Sequence, residues 1–133
     1  MFGYVAGLPL FLAYFAIGLV ILVGFATAYA AVTPHKELAL IRGGNGAAVL
    51  AYLGALLGFS LPLASAAANS VSIIDFIVWA VVGLLIQVGA FFVAKATFDG
   101  LSDRITAGDM AAGGWAGGIA LAVGILNAAC MTY

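Results

Sequence analysis

Few side chains in this sequence can do chemistry. His35 and Glu37 stand two residues apart, and Asp99, Asp103 and Arg104 gather in the second half. An imidazole beside a carboxylate is the usual pairing for general acid–base work and the usual start of a zinc site. Positions i and i+2 do not share a helix face, however, and His35 is the single histidine of the sequence, so neither site can be completed in a familiar way. His35, Glu37, Arg42, Asp103 and Arg104 are therefore read as contacts of solvated inner loops. No catalytic residue, metal or cofactor is assigned.

The second place where chemistry is conceivable lies inside apolar sequence. Gln87 follows Asp75 by 12 residues (87 − 75 = 12). At the helical rise that is roughly 18 Å, slightly beyond a bilayer's centre. It lines a hydrated path or bridges helices by hydrogen bonding. Asn127, Ser60 and Asp75 fall toward the outer side and could join it in a polar path or shallow vestibule. Pro62 lies near the outer end of its span, where it frees a carbonyl. Centrally placed charges are absent, so neither a carboxylate relay nor an arginine voltage sensor is legible. Gly43-Gly44-Asn45-Gly46 lacks the lysine and hydroxyl residue of a nucleotide-binding loop.

Membrane spans are what must position these groups. The sequence is 66% hydrophobic and 7% charged, with a mean hydropathy of +1.27. Four runs exceed or approach the 20 or so helical residues that cross a bilayer: roughly Leu8 to Val32, Gly46 to Ala66, Ile73 to Thr97 and Met110 to Met131. A membrane β-barrel would need short alternating segments instead. The expectation is an all-α membrane protein, one integral domain over 1–133 with connections of about a dozen residues or fewer.

The two halves also resemble each other. Ile41-Arg42-Gly43-Gly44-Asn45-Gly46-Ala47-Ala48 is answered by Ile105-Thr106-Ala107-Gly108-Asp109-Met110-Ala111-Ala112, an offset of 64 (105 − 41 = 64). Two helical hairpins, about 8–66 and 73–131, follow. Each holds two spans, so they are parallel repeats about an axis along the membrane normal, unlike the inverted repeats of many transporters. In the first inner loop, Thr33-Pro34 starts a short helix over His35 to Arg42 that Gly43-Gly44 ends. In the second, Asp99 caps a similar segment. Asn45 and Asp109 then occupy equivalent positions as N-caps of the next span or as ion contacts.

Small residues recur at the spacing that brings helices together. Gly54 and Gly58 are four apart, as are Gly113 and Gly117, and Gly114 and Gly118; Gly124 continues a stripe through Ala112, Ala116, Ala120 and Ala128. Helix four is expected to be the most tightly packed, with a neighbour on each of two faces. Lys36, Arg42, Lys95 and Arg104 all lie in or beside the first and third connections, which places those loops inside and both termini outside. The start, Met1-Phe2-Gly3-Tyr4, lacks a basic leader region, so the first run is expected to stay as a helix. Cys130 reads as a small buried side chain. Four basic residues give no surface for nucleic acid.

The run Glu37 to Ala48, with Leu57-Gly58-Phe59-Ser60-Leu61-Pro62-Leu63, resembles the first half of the YjfL-like (DUF350) proteins. Asp75, Trp79 and Gln87, then Gly108 to Ala112 and Gly124 to Thr132, are similar to the second half, with Asp109 where asparagine is more usual. The resemblance implies a small four-span bacterial inner-membrane protein of unknown activity. Tiny loops and extensive small-residue faces favour an accessory or assembly subunit of a larger membrane complex, its partners being the lipid bilayer and other subunits or copies of itself. A homo-oligomeric channel or transporter for a small cation or polar solute is the alternative, and an intramembrane enzyme a remote one.

Overall fold

The computed structural model describes residues 6–131, so both termini, whose side of the membrane the charge pattern predicts, lie outside the described residues. Six helices follow in order: α1 Leu8–Val32, α2 Glu37–Arg42, α3 Gly46–Asn69, α4 Ile73–Thr97, α5 Leu101–Thr106 and α6 Met110–Ala129. The four long ones are apolar and long enough to cross a membrane. The sequence places all four, though α3 runs past Ala66 to Asn69.

The turns between short and long helices share one geometry. In the first, the Asn45 amide donates to the Leu40 carbonyl (2.9 Å) and the Gly44 amide to Ile41 (3.0 Å); in the second, the Asp109 amide donates to Arg104 and the Gly108 amide to Ile105 (both 2.9 Å). This pattern closes a helix with a left-handed residue, and Gly44 (φ 86°) and Gly108 (φ 84°) supply it. The next residue caps the following span: the Asn45 side chain accepts from the Ala48 amide (3.1 Å), and Asp109 from Ala111 (3.0 Å).

The starts of the short helices differ from expectation. Proline forces the residue before it toward extended backbone, and Thr33 (φ −75°, ψ 132°) ends α1 there. Pro34 therefore terminates a span rather than opening a helix. Helix α2 begins at Glu37, leaving His35 in the connection. In the second half Gly100 (φ 65°), not Asp99, precedes the helix.

The centre of the bundle is a seam between α3 and α6. These run parallel and touch through backbone. A side-chain carbon at Gly54 would fall on Gly117, one at Gly113 on the Ala47 carbonyl, one at Gly58 on the Ala120 carbonyl and one at Gly124 on the Gly58 carbonyl. The Ser65 hydroxyl adds a bond to the Ala128 carbonyl (2.9 Å). Ala47 thus meets Gly113, Gly54 meets Gly117, Gly58 meets Gly124 and Ser65 meets Ala128 (113 − 47 = 66, 117 − 54 = 63, 124 − 58 = 66, 128 − 65 = 63). These offsets bracket the 64 of the sequence. Pro62 contributes because it has no N–H for the carbonyl four residues earlier, that of Gly58, which is the one Gly124 packs against.

Helix α3, not α6, is the more buried of the two. Its other face carries Tyr52 and Phe59, which meet Tyr29 (6.1 Å between ring centres) and Phe25 (4.5 Å) of α1. Only Phe25 and Tyr29 of α1 are buried. Of the two glycine faces on α6, Gly113, Gly117 and Gly124 pack on α3, whereas among the described residues nothing lies within 4 Å of where a side-chain carbon at Gly114 or Gly118 would stand. Cys130 is exposed, not buried, because α6 ends just before it.

Adding one methyl group tests the seam. Gly124→Ala should lower stability by about 1–3 kcal/mol, the usual cost of overpacking, while Gly114→Ala should stay within about 0.5 kcal/mol of the parent. Denaturation of the two variants in the same detergent reads the difference.

Candidate functional site

Two groups of polar side chains are buried, one inside the bundle and one at the end that carries the basic residues. In the interior, Gln87 is 1% exposed and Asn127 7%. The Gln87 side-chain amide donates to the Ala120 carbonyl (3.2 Å). That of Asn127 donates to the Gly83 carbonyl (3.1 Å) and to Gln87 Oε1 (3.3 Å). Helical side chains lean toward their own N-terminus. Helices α4 and α6 run in opposite directions, so the two amides lean toward one another. The pair clasps α4 to α6.

Asp75 and Ser60 do not join them. Asp75 accepts from the Val71 amide (3.0 Å) while its own amide donates to the Ser72 hydroxyl (3.1 Å), a reciprocal cap at the start of α4. Ser60 donates to the Leu57 carbonyl (2.6 Å) on its own helix. It lines an apolar cleft of about 390 Å³ between α1, α3 and α4, alongside Phe11, Phe15 and Phe76. The four residues that could form a vestibule are thus distributed over three locations.

At the basic end, His35 and Glu37 come together. His35 Nε2 lies 2.7 Å from Glu37 Oε1, and the residues are 5% and 1% exposed. They can meet because neither requires a shared helix face: His35 is in the connection, and Glu37 is the first residue of α2. The expectation of a solvated loop is wrong for this pair. Tyr29 and Phe91 pack edge to face beside it, and the His35 ring lies 6.1 Å from that of Phe91. Burial pushes the Glu37 carboxyl above the usual carboxylate range; the hydrogen bond and charge of His35, and nearby Thr33, oppose the rise. The Thr33 hydroxyl donates to the Ala30 carbonyl (3.3 Å), and Glu37 Oε2 and His35 Nδ1 are buried with no hydrogen bond to any of the described residues.

The other loop residues are solvated. Arg42 and Asp103 are exposed, and Arg104 pairs with Asp109 (2.6 Å) at the surface while lying over the Phe98 ring (4.7 Å). Asn45 does more than cap. Its amide also donates to the carbonyls of Ile105 (2.8 Å) and Thr106 (3.2 Å), tying the first turn to the end of α5. Asp109, at the equivalent position, is acceptor-only when ionised, and takes Arg104 instead. The sequence reading missed the His35–Glu37 contact; the signal for it was the proline one residue before His35, which ends the helix geometry on which the spacing was judged.

Four apolar spans, polar groups bonded inside the chain and basic residues gathered at one end define a multi-pass helical membrane protein. Residues 3–131 match the family described as Domain of Unknown Function (DUF350), and the chain belongs to it. It is 46% identical over 123 residues to the UPF0719 inner membrane protein YjfL of Escherichia coli strain K12, covering 92% of this chain and 93% of that protein. The protein of the same name from Escherichia coli O157:H7 matches equally. No solved structure matches.

If Gln87 and Asn127 are a clasp, Gln87→Leu should lower stability by about 1 kcal/mol, the scale of such bonds between membrane helices. Chemical denaturation in detergent measures it, and an unchanged midpoint would contradict the clasp.

Proposed function

We propose that this protein is an accessory or assembly subunit of a larger complex in the bacterial inner membrane, with no catalysis of its own. The observation that carries this reading is the bareness of α1. Of its 25 residues only Phe25 and Tyr29 are buried. Toward the opposite end Tyr14 stacks on Phe76 of α4 (5.2 Å between ring centres), beside an open cleft that Phe11, Phe15 and Ser60 line. A span with so little of its surface covered leaves a long apolar face and a groove for a neighbouring helix. In lipid, close packing rather than hydrophobic burial draws such a helix in. The relatives' designation as inner membrane proteins supports the location.

A permeation role is the weaker reading, because Gln87 and Asn127 spend hydrogen-bonding groups on each other and on backbone carbonyls. In the favoured reading the chain is a duplicated hairpin. The shared turn geometry and the seam offsets near 64 support this. Lys36, Arg42, Lys95 and Arg104 support an orientation with the short helices at the cytoplasmic face and both termini in the periplasm.

A photo-crosslinking phenylalanine analogue in place of Phe15, 56% exposed in the cleft, tests the reading in the native membrane. A discrete adduct with a different protein is expected. Adducts with lipid alone, or with a second copy alone, would contradict the accessory role, the latter in favour of a homo-oligomer.

A further inference from the structure

The buried pair at the basic end has a use that assembly does not absorb. A contact of 2.7 Å between an imidazole nitrogen and a carboxylate oxygen holds a proton. Three charge states are available to the pair. With both groups protonated it carries +1; with one proton fewer it is neutral; with two fewer it carries −1. Burial penalises either net charge unless an opposite charge faces it.

None does so among the described residues. The ionisable groups that interact with Glu37 from neighbouring packing are the phenols of Tyr29 on α1 and Tyr52 on α3, and the aromatic contact from α4 is Phe91. Lys36, Lys95, Asp99 and Asp103, at the same end, are exposed. The ion pairs are His35–Glu37 and the surface pair Arg104–Asp109. His35 Nδ1 has no partner among the described residues, and Thr33 is the one group besides His35 that favours a charged Glu37, so little stands ready to stabilise a changed charge.

The pair also sits where α1 is anchored. Phe25 against Phe59, Tyr29 against Tyr52 and Phe91, and the Tyr52 hydroxyl on the Ala26 carbonyl (3.2 Å) hold the last turns of α1. His35 and Glu37 continue that contact directly after the helix ends. We propose that His35 and Glu37 form a proton-binding site, net neutral while the basic end of α1 is docked, and that gain or loss of one proton releases that end. The direction of the alkaline arm follows from Glu37. Burial raises its affinity for the proton in the docked state above that of the freed segment. Glu37's own contribution to docking is therefore fully present below the ordinary carboxylate range and is lost as pH rises through its raised docked value. The acid arm comes from placing a second proton on the pair, which buries an unpaired imidazolium.

The test uses the full-length protein in nanodiscs with Cys130→Ser and nitroxides at Ala31→Cys and Val93→Cys, both exposed positions on α1 and α4. The inter-label distance is measured across pH. A single population at the neutral state, with a longer one growing at both acid and alkaline pH, is expected. His35→Gln should remove the acid arm alone, and Glu37→Gln the alkaline arm alone. Because His35 is the single histidine, its ¹⁵N signals in the unmutated pair report its protonation without a variant that could misfold. They should change with the same midpoint as the acid distance shift. A pH-independent distance, an acid arm that survives His35→Gln, or an imidazole that titrates apart from the distance change would overturn the proposal.

Discussion

A bilayer offers apolar side chains nothing for leaving it, so a chain this poor in polar groups is held together by how closely two of its backbones approach. In this protein that approach is the α3–α6 seam. Glycines at 54, 58, 113, 117 and 124 bring main chain against main chain along the two helices, and Pro62 has no N–H to offer the Gly58 carbonyl on which Gly124 rests. Everything else is arranged around the seam. Helix α4 is clasped to α6 by Gln87 and Asn127, and α1 leans on the aromatic face of α3 that the seam leaves free.

The consequence is an uneven structure. Three spans are joined by backbone contact, by the Gln87–Asn127 clasp and by the Ser65 bond, while the first is joined mainly by aromatic rings and borders an open cleft. The short helices and their turns repeat one geometry, but the two halves are not interchangeable at Asn45 and Asp109. The amide reaches across to the end of α5, whereas the carboxylate turns back to Arg104. The last turns of α1 are thus anchored in a small region in which His35–Glu37 is the one ion pair among the described residues.

Much of this was legible in the sequence, for identifiable reasons. Hydropathy marks spans because every residue of a span faces lipid or another span, so Leu8 to Val32 and Ile73 to Thr97 could be read directly. Glycine followed by a capping side chain marked the turns at Asn45 and Asp109. What composition could not carry is which face of a helix meets which. Gly113 and Gly114 have the same spacing signal, yet one lies on Ala47 and the other meets open space among the described residues. Depth along a helix axis placed Asn127 with Ser60 and Asp75, whereas the lean of side chains in antiparallel helices pairs it with Gln87. His35 and Glu37 were judged on a helix that Pro34 had already ended.

The proposed role makes this chain one subunit among others. Native mass spectrometry of the untagged protein, extracted from its own membrane into lipid nanodiscs, tests it most directly. The account predicts a defined mass that contains this 13.4 kDa chain together with a different protein. A single copy carrying only lipid, at the protein's native abundance, would contradict it.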